Sequence, residues 1–124
     1  MNKRILIIDD EPNIVISLQF LMERAGYLVE VASDGEAGLD LVRAQPPDLI
    51  VLDVMMPKLD GFGVLEAIRA DSALAGVRVL MLTAKGREAE QRKGLELGAD
   101  AYMPKPFSTR DLVARVKALL DEDT

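Results

Sequence analysis

Short, almost unbroken apolar runs that end in carboxylates or a hydroxyl constrain this chain more than any other feature. Ile5-Leu-Ile-Ile runs into Asp9-Asp10, Leu49-Ile-Val-Leu into Asp53, and Val77-Arg-Val-Leu-Met-Leu into Thr83. A strand with one solvated face alternates apolar and polar residues; a run without alternation needs cover on both faces. Two further segments, Tyr27-Leu-Val-Glu-Val and Ala99-Asp-Ala-Tyr-Met, are shorter and more mixed, as flanking strands are.

Helical patterns separate these five segments. Ile14, Leu18, Met22 and Ala25 form a stripe closed by Gly26, a residue suited to a helix C-terminus. Ala37, Leu41 and Ala44 mark a second helix, stopped by Pro46-Pro47, and Val64, Leu65 and Ile68 anchor a third. Leu112, Val113, Val116, Leu119 and Leu120 form the strongest stripe. The fourth helix, Gly86 to Leu97, has apolar residues only at Ala89, Leu95 and Leu97, so it is thinly anchored and expected to move. The 124 residues (124/5, about 25 per unit) thus read as one domain, 1–124. Its architecture is α/β: (βα)5, a doubly wound parallel five-stranded sheet with right-handed crossovers. In such sheets ligands bind beyond the carboxyl ends of the strands, where the strand order reverses.

Composition then limits the chemistry. Histidine and cysteine are both absent, which excludes Cys/His zinc sites, Ser-His or Cys-His nucleophiles and disulfides. The apolar run after Met1-Asn-Lys-Arg is only four residues long before it meets Asp9, and no run approaches the ~18 apolar residues of a membrane helix. A cytoplasmic protein without membrane insertion is expected. The net charge of −6 argues against direct nucleic-acid binding, which depends on Lys and Arg. Residues 1–62 carry 5 basic and 11 acidic side chains, residues 63–124 10 of each, so the acid excess lies in the first half.

In a parallel sheet, Asp9, Asp10, Asp53, Thr83 and Lys105 all reach one crevice. Carboxylates so close raise one another's pKa unless a cation is present. With only oxygen ligands available, Mg2+ suits the set. A cation, a lysine and a hydroxyl around a carboxylate make a place where phosphoryl charge is stabilised. Taken singly, Asp10 also suits a cap on the first helix, Thr83 a strand end, Lys105 the surface and Tyr102 the core. Asp53 resists such a reading, since it interrupts what is otherwise buried surface before Val54-Met-Met-Pro.

The set Asp9-Asp10-Glu11, Asp53-Val54-Met55-Met56-Pro57 with Asp60-Gly61, Thr83-Ala84 and Lys105-Pro106-Phe107 resembles the receiver domain of bacterial two-component response regulators, chemotaxis-regulator-like. The resemblance covers essentially the whole chain and implies a flavodoxin-like strand order 2-1-3-4-5. It implies that Asp53 accepts a phosphoryl group from a sensor histidine kinase or histidine phosphotransfer protein. It also implies that Asp10, Asp53 and the Met55 backbone carbonyl ligate Mg2+, with Asp9 acting through water. Lys105 would pair with Asp53 and then with a phosphoryl oxygen, and Thr83 would bind another. Tyr102 would be the switch aromatic, and Lys105-Pro106 a cis peptide. Met55 and Lys85 would border the phosphoryl group. Met55 is expected to hinder attacking water, so Met55→Asn should speed phosphate loss.

The same resemblance extends to receivers joined to winged-helix DNA-binding domains. Those carry a second acidic residue, paired across a dimer with the position of Arg115, where this chain has Ala101. A stand-alone receiver is therefore expected, a monomer or weak phosphorylation-dependent dimer. It would signal to a downstream protein target through helix four, strand five and helix five, a face made basic at its start by Lys85, Arg87, Arg92 and Lys93. The alternatives are a receiver excised from a DNA-binding regulator and a Mg-dependent aspartyl-phosphate phosphohydrolase of the haloacid-dehalogenase type. The hydrolase needs a D-x-D motif after its first strand, and this chain has adjacent Asp9-Asp10. A flavin carrier needs a hydroxyl-rich loop where Asp-Asp-Glu-Pro stands.

Overall fold

Side-chain parity along the strands divides the interior into two layers. The computed structural model describes residues 2–56, 58–84 and 88–120. Its elements are β1 (Arg4–Ile8), α1 (Pro12–Arg24), β2 (Leu28–Ala32), α2 (Gly35–Ala44), β3 (Leu49–Asp53) and α3 (Gly61–Arg69). A 3-10 turn at Ser72–Leu74 precedes β4 (Arg78–Ala84), α4 (Glu88–Leu97), β5 (Ala101–Lys105) and α5 (Thr109–Leu119). The five strands pair in the order β2-β1-β3-β4-β5, all parallel. Ile5, Ile7, Leu49, Val51, Leu80 and Leu82 point into the layer that holds Leu18 and Met22 of α1 and Leu112 and Val116 of α5. Leu6, Ile8, Ile50, Leu52, Val79 and Met81 point to the other, with Leu39 and Val42 of α2 and Val64, Leu65 and Ile68 of α3. Both faces are covered, which is why the three central strands read as apolar runs.

The helix boundaries have local causes. Pro12 occupies the first turn of α1, and Gly26 at φ +99° receives the chain after the helix. Asp34, Asp60 and Ser108 cap α2, α3 and α5 by accepting from the N–H groups of Ala37, Gly63 and Asp111. The N-cap of α1 is Glu11, which makes no side-chain cap bond, so Asp10 is not consumed in ending that helix.

Two sequence readings need correction. The stripe Ala37, Leu41 and Ala44 is not the buried face of α2: Gly35, Gly38, Leu39 and Val42 are, while Ala37 and Ala44 are exposed. A Cβ at Gly35 would lie 2.1 Å from the Leu59 carbonyl oxygen, and one at Gly38 2.5 Å from Ile8 Cδ1. The helix packs through bare backbone, which an apolar pattern does not register. The last strand also starts at Ala101 rather than Ala99, because the Ala99 N–H closes the turn after α4 on Gly94 O at 2.9 Å.

The fourth helix is thinly seated, as its sequence suggests. Gly94 is its buried residue, and Leu95 remains 44% exposed. A Cβ on Gly94 would meet Met81 Sδ at 2.9 Å, and Lys93 Nζ lies 4.5 Å from the Phe62 ring centroid. Lys85, Gly86 and Arg87, assigned above to the approach and start of this helix, lie outside the described residues, as does Pro57.

Candidate functional site

The strand order reverses between β1 and β3, and the candidate residues gather beyond those carboxyl ends. Carboxylate oxygens of Asp9, Asp10 and Asp53 lie within 4.8 Å of one another, Asp9 and Asp53 buried and Asp10 exposed. Parity also explains how Lys105 joins them. Counting alternate residues, Asp53 continues Leu49 and Val51, and Lys105 continues Ala101 and Met103, toward the α1/α5 side of the sheet. Thr83 and Tyr102 have the opposite parity, that of Val79 and Met81, and Tyr102 packs half-buried against that second layer. The site therefore has a charged half at Asp9, Asp53 and Lys105 and a second side, at Thr83 and Tyr102, toward the layer of α2 and α3.

Lys105 Nζ lies 3.2 Å from Asp9 Oδ2, 3.3 Å from Asp53 Oδ1 and 2.8 Å from Glu11 Oε1. The contact with Glu11, 94 positions away, was not foreseen from the sequence. Asp9 Oδ1 also accepts the Glu11 N–H at 2.9 Å, so Asp9 joins the loop to the lysine. Burial first, then the charge of Asp9, raise the Asp53 carboxyl from 3.8 to about 6, against the pull of Lys105 and the Met55 N–H. Burial alone would lower Lys105, but Glu11, Asp53 and Asp9 outweigh it and hold the amine above its ordinary value. A carboxylate at 4% exposure whose charge is disfavoured at neutral pH calls for a cation.

Neighbouring residues shape the crevice. Asp60 caps α3, and Gly61 lets that helix start against β3, since a Cβ there would lie 2.4 Å from the Asp53 carbonyl oxygen. Met55 is 65% exposed, and its N–H donates to Asp53. Thr83 is buried at 3% exposure near the end of β4. The Lys105–Pro106 peptide is cis. Tyr102, Pro104, Ala114, Arg115 and Ala118 help line a groove of about 420 Å³ between β5 and α5. Asp100, just before β5, is tied to α3 and β4: its Oδ2 accepts from Arg69 Nη2 at 2.9 Å and from the Val79 N–H at 2.8 Å.

A (βα)5 sheet in the order 2-1-3-4-5, with paired acids after β1, an acid ending β3 and a lysine ending β5, defines a class. The family described as response regulator receiver domain matches residues 5–117, and the chain belongs to that family. The carboxylate cluster at the ends of β1 and β3 agrees with that assignment. Over 120 residues the chain is 55% identical to the alkaline phosphatase synthesis transcriptional regulatory protein PhoP of Bacillus subtilis, spanning 97% of this chain and 49% of that protein. The transcriptional regulatory protein CpxR of Escherichia coli is 49% identical over 120 residues, 97% of this chain and 50% of CpxR. The chain thus spans about half the length of these curated relatives. The solved receiver domain of the Francisella response regulator 1452 superposes with a TM-score of 0.90 at 33% identity, covering 99% of this chain and 100% of that one. Among the described residues no helix is long and apolar enough to cross a membrane.

Proposed function

We propose that Asp53 is the phosphoacceptor and that its modification resets the α4–β5–α5 face for a downstream protein target. A carboxylate oxygen of Asp53 attacks the phosphorus of a phosphohistidine. The P–N bond breaks, and the imidazole nitrogen leaves with the bonding pair and takes up a proton. These 124 residues hold no histidine, so the donor histidine lies outside them, in a sensor kinase or phosphotransfer module. One observation carries the reading: Asp53 is buried within ion-pair distance of Lys105 and in the same carboxylate cluster as Asp9 and Asp10.

The donor set is all oxygen and strongly anionic, which fits Mg2+. Asp10, Asp53 and the Met55 carbonyl would hold it, with Asp9 acting through water. When bound, the ion neutralises charge that develops on the phosphoryl oxygens. Lys105 then exchanges a carboxylate partner for a phosphoryl oxygen, and Thr83 offers a hydroxyl to another. Because Thr83 shares its side of the sheet with Tyr102, movement of one is felt by the other. The lightly seated α4 is the element able to respond.

Incubation with a small phosphodonor and Mg2+, read by intact mass, tests the site. A single phosphoryl addition is expected, lost in Asp53→Ala; addition that survives that change rejects the assignment. The relatives named above are transcriptional regulators about twice as long, which favours a transcriptional output. In that reading DNA is contacted by a part other than this acidic domain. Phosphorylation-dependent promoter binding by the complete gene product would separate this from a purely protein-directed output.

A further inference from the structure

We infer that Glu11 is a positioning residue: it holds the Lys105 ammonium in the unphosphorylated state, and its release accompanies phosphoryl uptake. The inference rests on Asp53 being the phosphoacceptor. Of the three carboxylates around Lys105 Nζ, Glu11 is the nearest, at 2.8 Å against 3.2 Å for Asp9 and 3.3 Å for Asp53. An ammonium has three donors, and here three carboxylates surround it. Asp53 gives up its own share when it becomes the acyl phosphate, and the phosphoryl oxygens that replace it compete with Asp9 and Glu11 for the remaining donors.

Glu11 is the contact that yields most readily. Asp9 is 1% exposed, and a carboxylate buried that deeply has little water to replace a lost lysine. The Glu11 side chain is 58% exposed, so water takes over when the lysine leaves. Among the described residues, Lys105 is the partner of the Glu11 side chain. Glu11 stands at the N-cap of α1 without making a side-chain cap bond, and its N–H is fixed on Asp9 Oδ1. The geometry thus places a carboxylate over Lys105 without engaging it in the helix. An interaction made in one state and lost in the other shifts the equilibrium toward the first. Glu11 therefore favours the unphosphorylated form.

Glu11→Gln should speed phosphoryl uptake from a small phosphodonor about two- to five-fold, the range of a partly exposed ion pair. Loss of the group after donor removal should be unchanged or slower. Glu11→Asp, which keeps the charge on a shorter arm, should fall between. High salt should narrow the difference from the wild type. A second measurement separates positioning from simple repulsion of an anionic donor: nitrogen–proton spectra of the lysine ammonium groups in metal-free, unphosphorylated protein. The Lys105 signal should shift and exchange faster with water in Glu11→Gln. Faster uptake with Lys105 unchanged overturns the inference, as does uptake that is unchanged or slower. Asp53→Ala is run alongside. Uptake that survives that change rejects the phosphoacceptor itself; uptake lost there, with Glu11→Gln matching the wild type, rejects only the role of Glu11.

Discussion

Burial and the charge of Asp9 act together on Asp53, and the raised carboxyl links folding to pH. Below pH 3.8 the group is protonated in both folded and unfolded chains and contributes nothing. Between 3.8 and about 6 the folded state binds the proton more tightly, so stability falls as pH rises. Above that window both forms are ionised and the full penalty remains. A shift of about two units sets a ceiling of ~3 kcal/mol. Metal-free Asp53→Asn should therefore be more stable than the wild type above pH 6, by about 1–3 kcal/mol, with the advantage fading toward pH 4. Urea midpoints across that range measure it, and a pH-independent difference would contradict the burial account. Lys105 keeps Asp9 and Glu11 in this variant, so no orphaned charge offsets the gain. Asp53 was legible in the sequence because it interrupts an apolar run. Glu11 was not, because nothing local marks a partner 94 residues away.

At the scale of elements, the body of α4 and the turn that follows it are held by different means. Arg69, the last residue of α3, donates from Nε to Gly98 O, from Nη1 to Val77 O and from Nη2 to Asp100 Oδ2, each at 2.9 Å. It thus ties the turn after α4 to the start of β4. Arg69→Ala leaves two half-buried carbonyls without this donor and should cost about 2–3 kcal/mol. Arg69→Lys should recover little, since an ammonium cannot span that fork; chemical denaturation of the pair decides. The body of α4 rests instead on Gly94, against Met81. Gly94→Leu should lift the helix, accelerating hydrogen exchange over 88–97 with little change in β1 and β3. Equal acceleration in the central strands would mean that α4 is not a separable unit. The thin seating of α4 could be read from its few apolar residues. The seat itself, like the glycine face of α2, could not, because a backbone contact leaves no hydrophobic signature. Arg69 likewise carries no sequence mark that separates it from any other charge at a helix end.

For the molecule as a whole, the acid excess of the first half and the arrangement of the sheet bear on one equilibrium. The register of β1 and β3 brings the buried carboxylates of Asp9 and Asp53 together, and among the described residues Lys105 alone is the cation that offsets their repulsion when no metal ion is present. A cation that binds the folded chain and not the unfolded one adds RT ln(1 + [L]/Kd), about 2.7 kcal/mol at a hundredfold excess over Kd. Mg2+ at constant ionic strength should therefore raise the melting midpoint of the wild type in a saturable way. Asp53→Asn loses a ligand as well as a charge, so it should respond weakly. The two proteins should then exchange rank: Asp53→Asn more stable without Mg2+ and the wild type more stable with it. Parallel rises in both would show the ion acting by general screening. A wild type already the more stable in metal-free buffer would break the link between the buried charge and the site. The crossing is the stricter test, because it needs the same carboxylate, Asp53, to destabilise the metal-free fold and to help bind the ion that restores it.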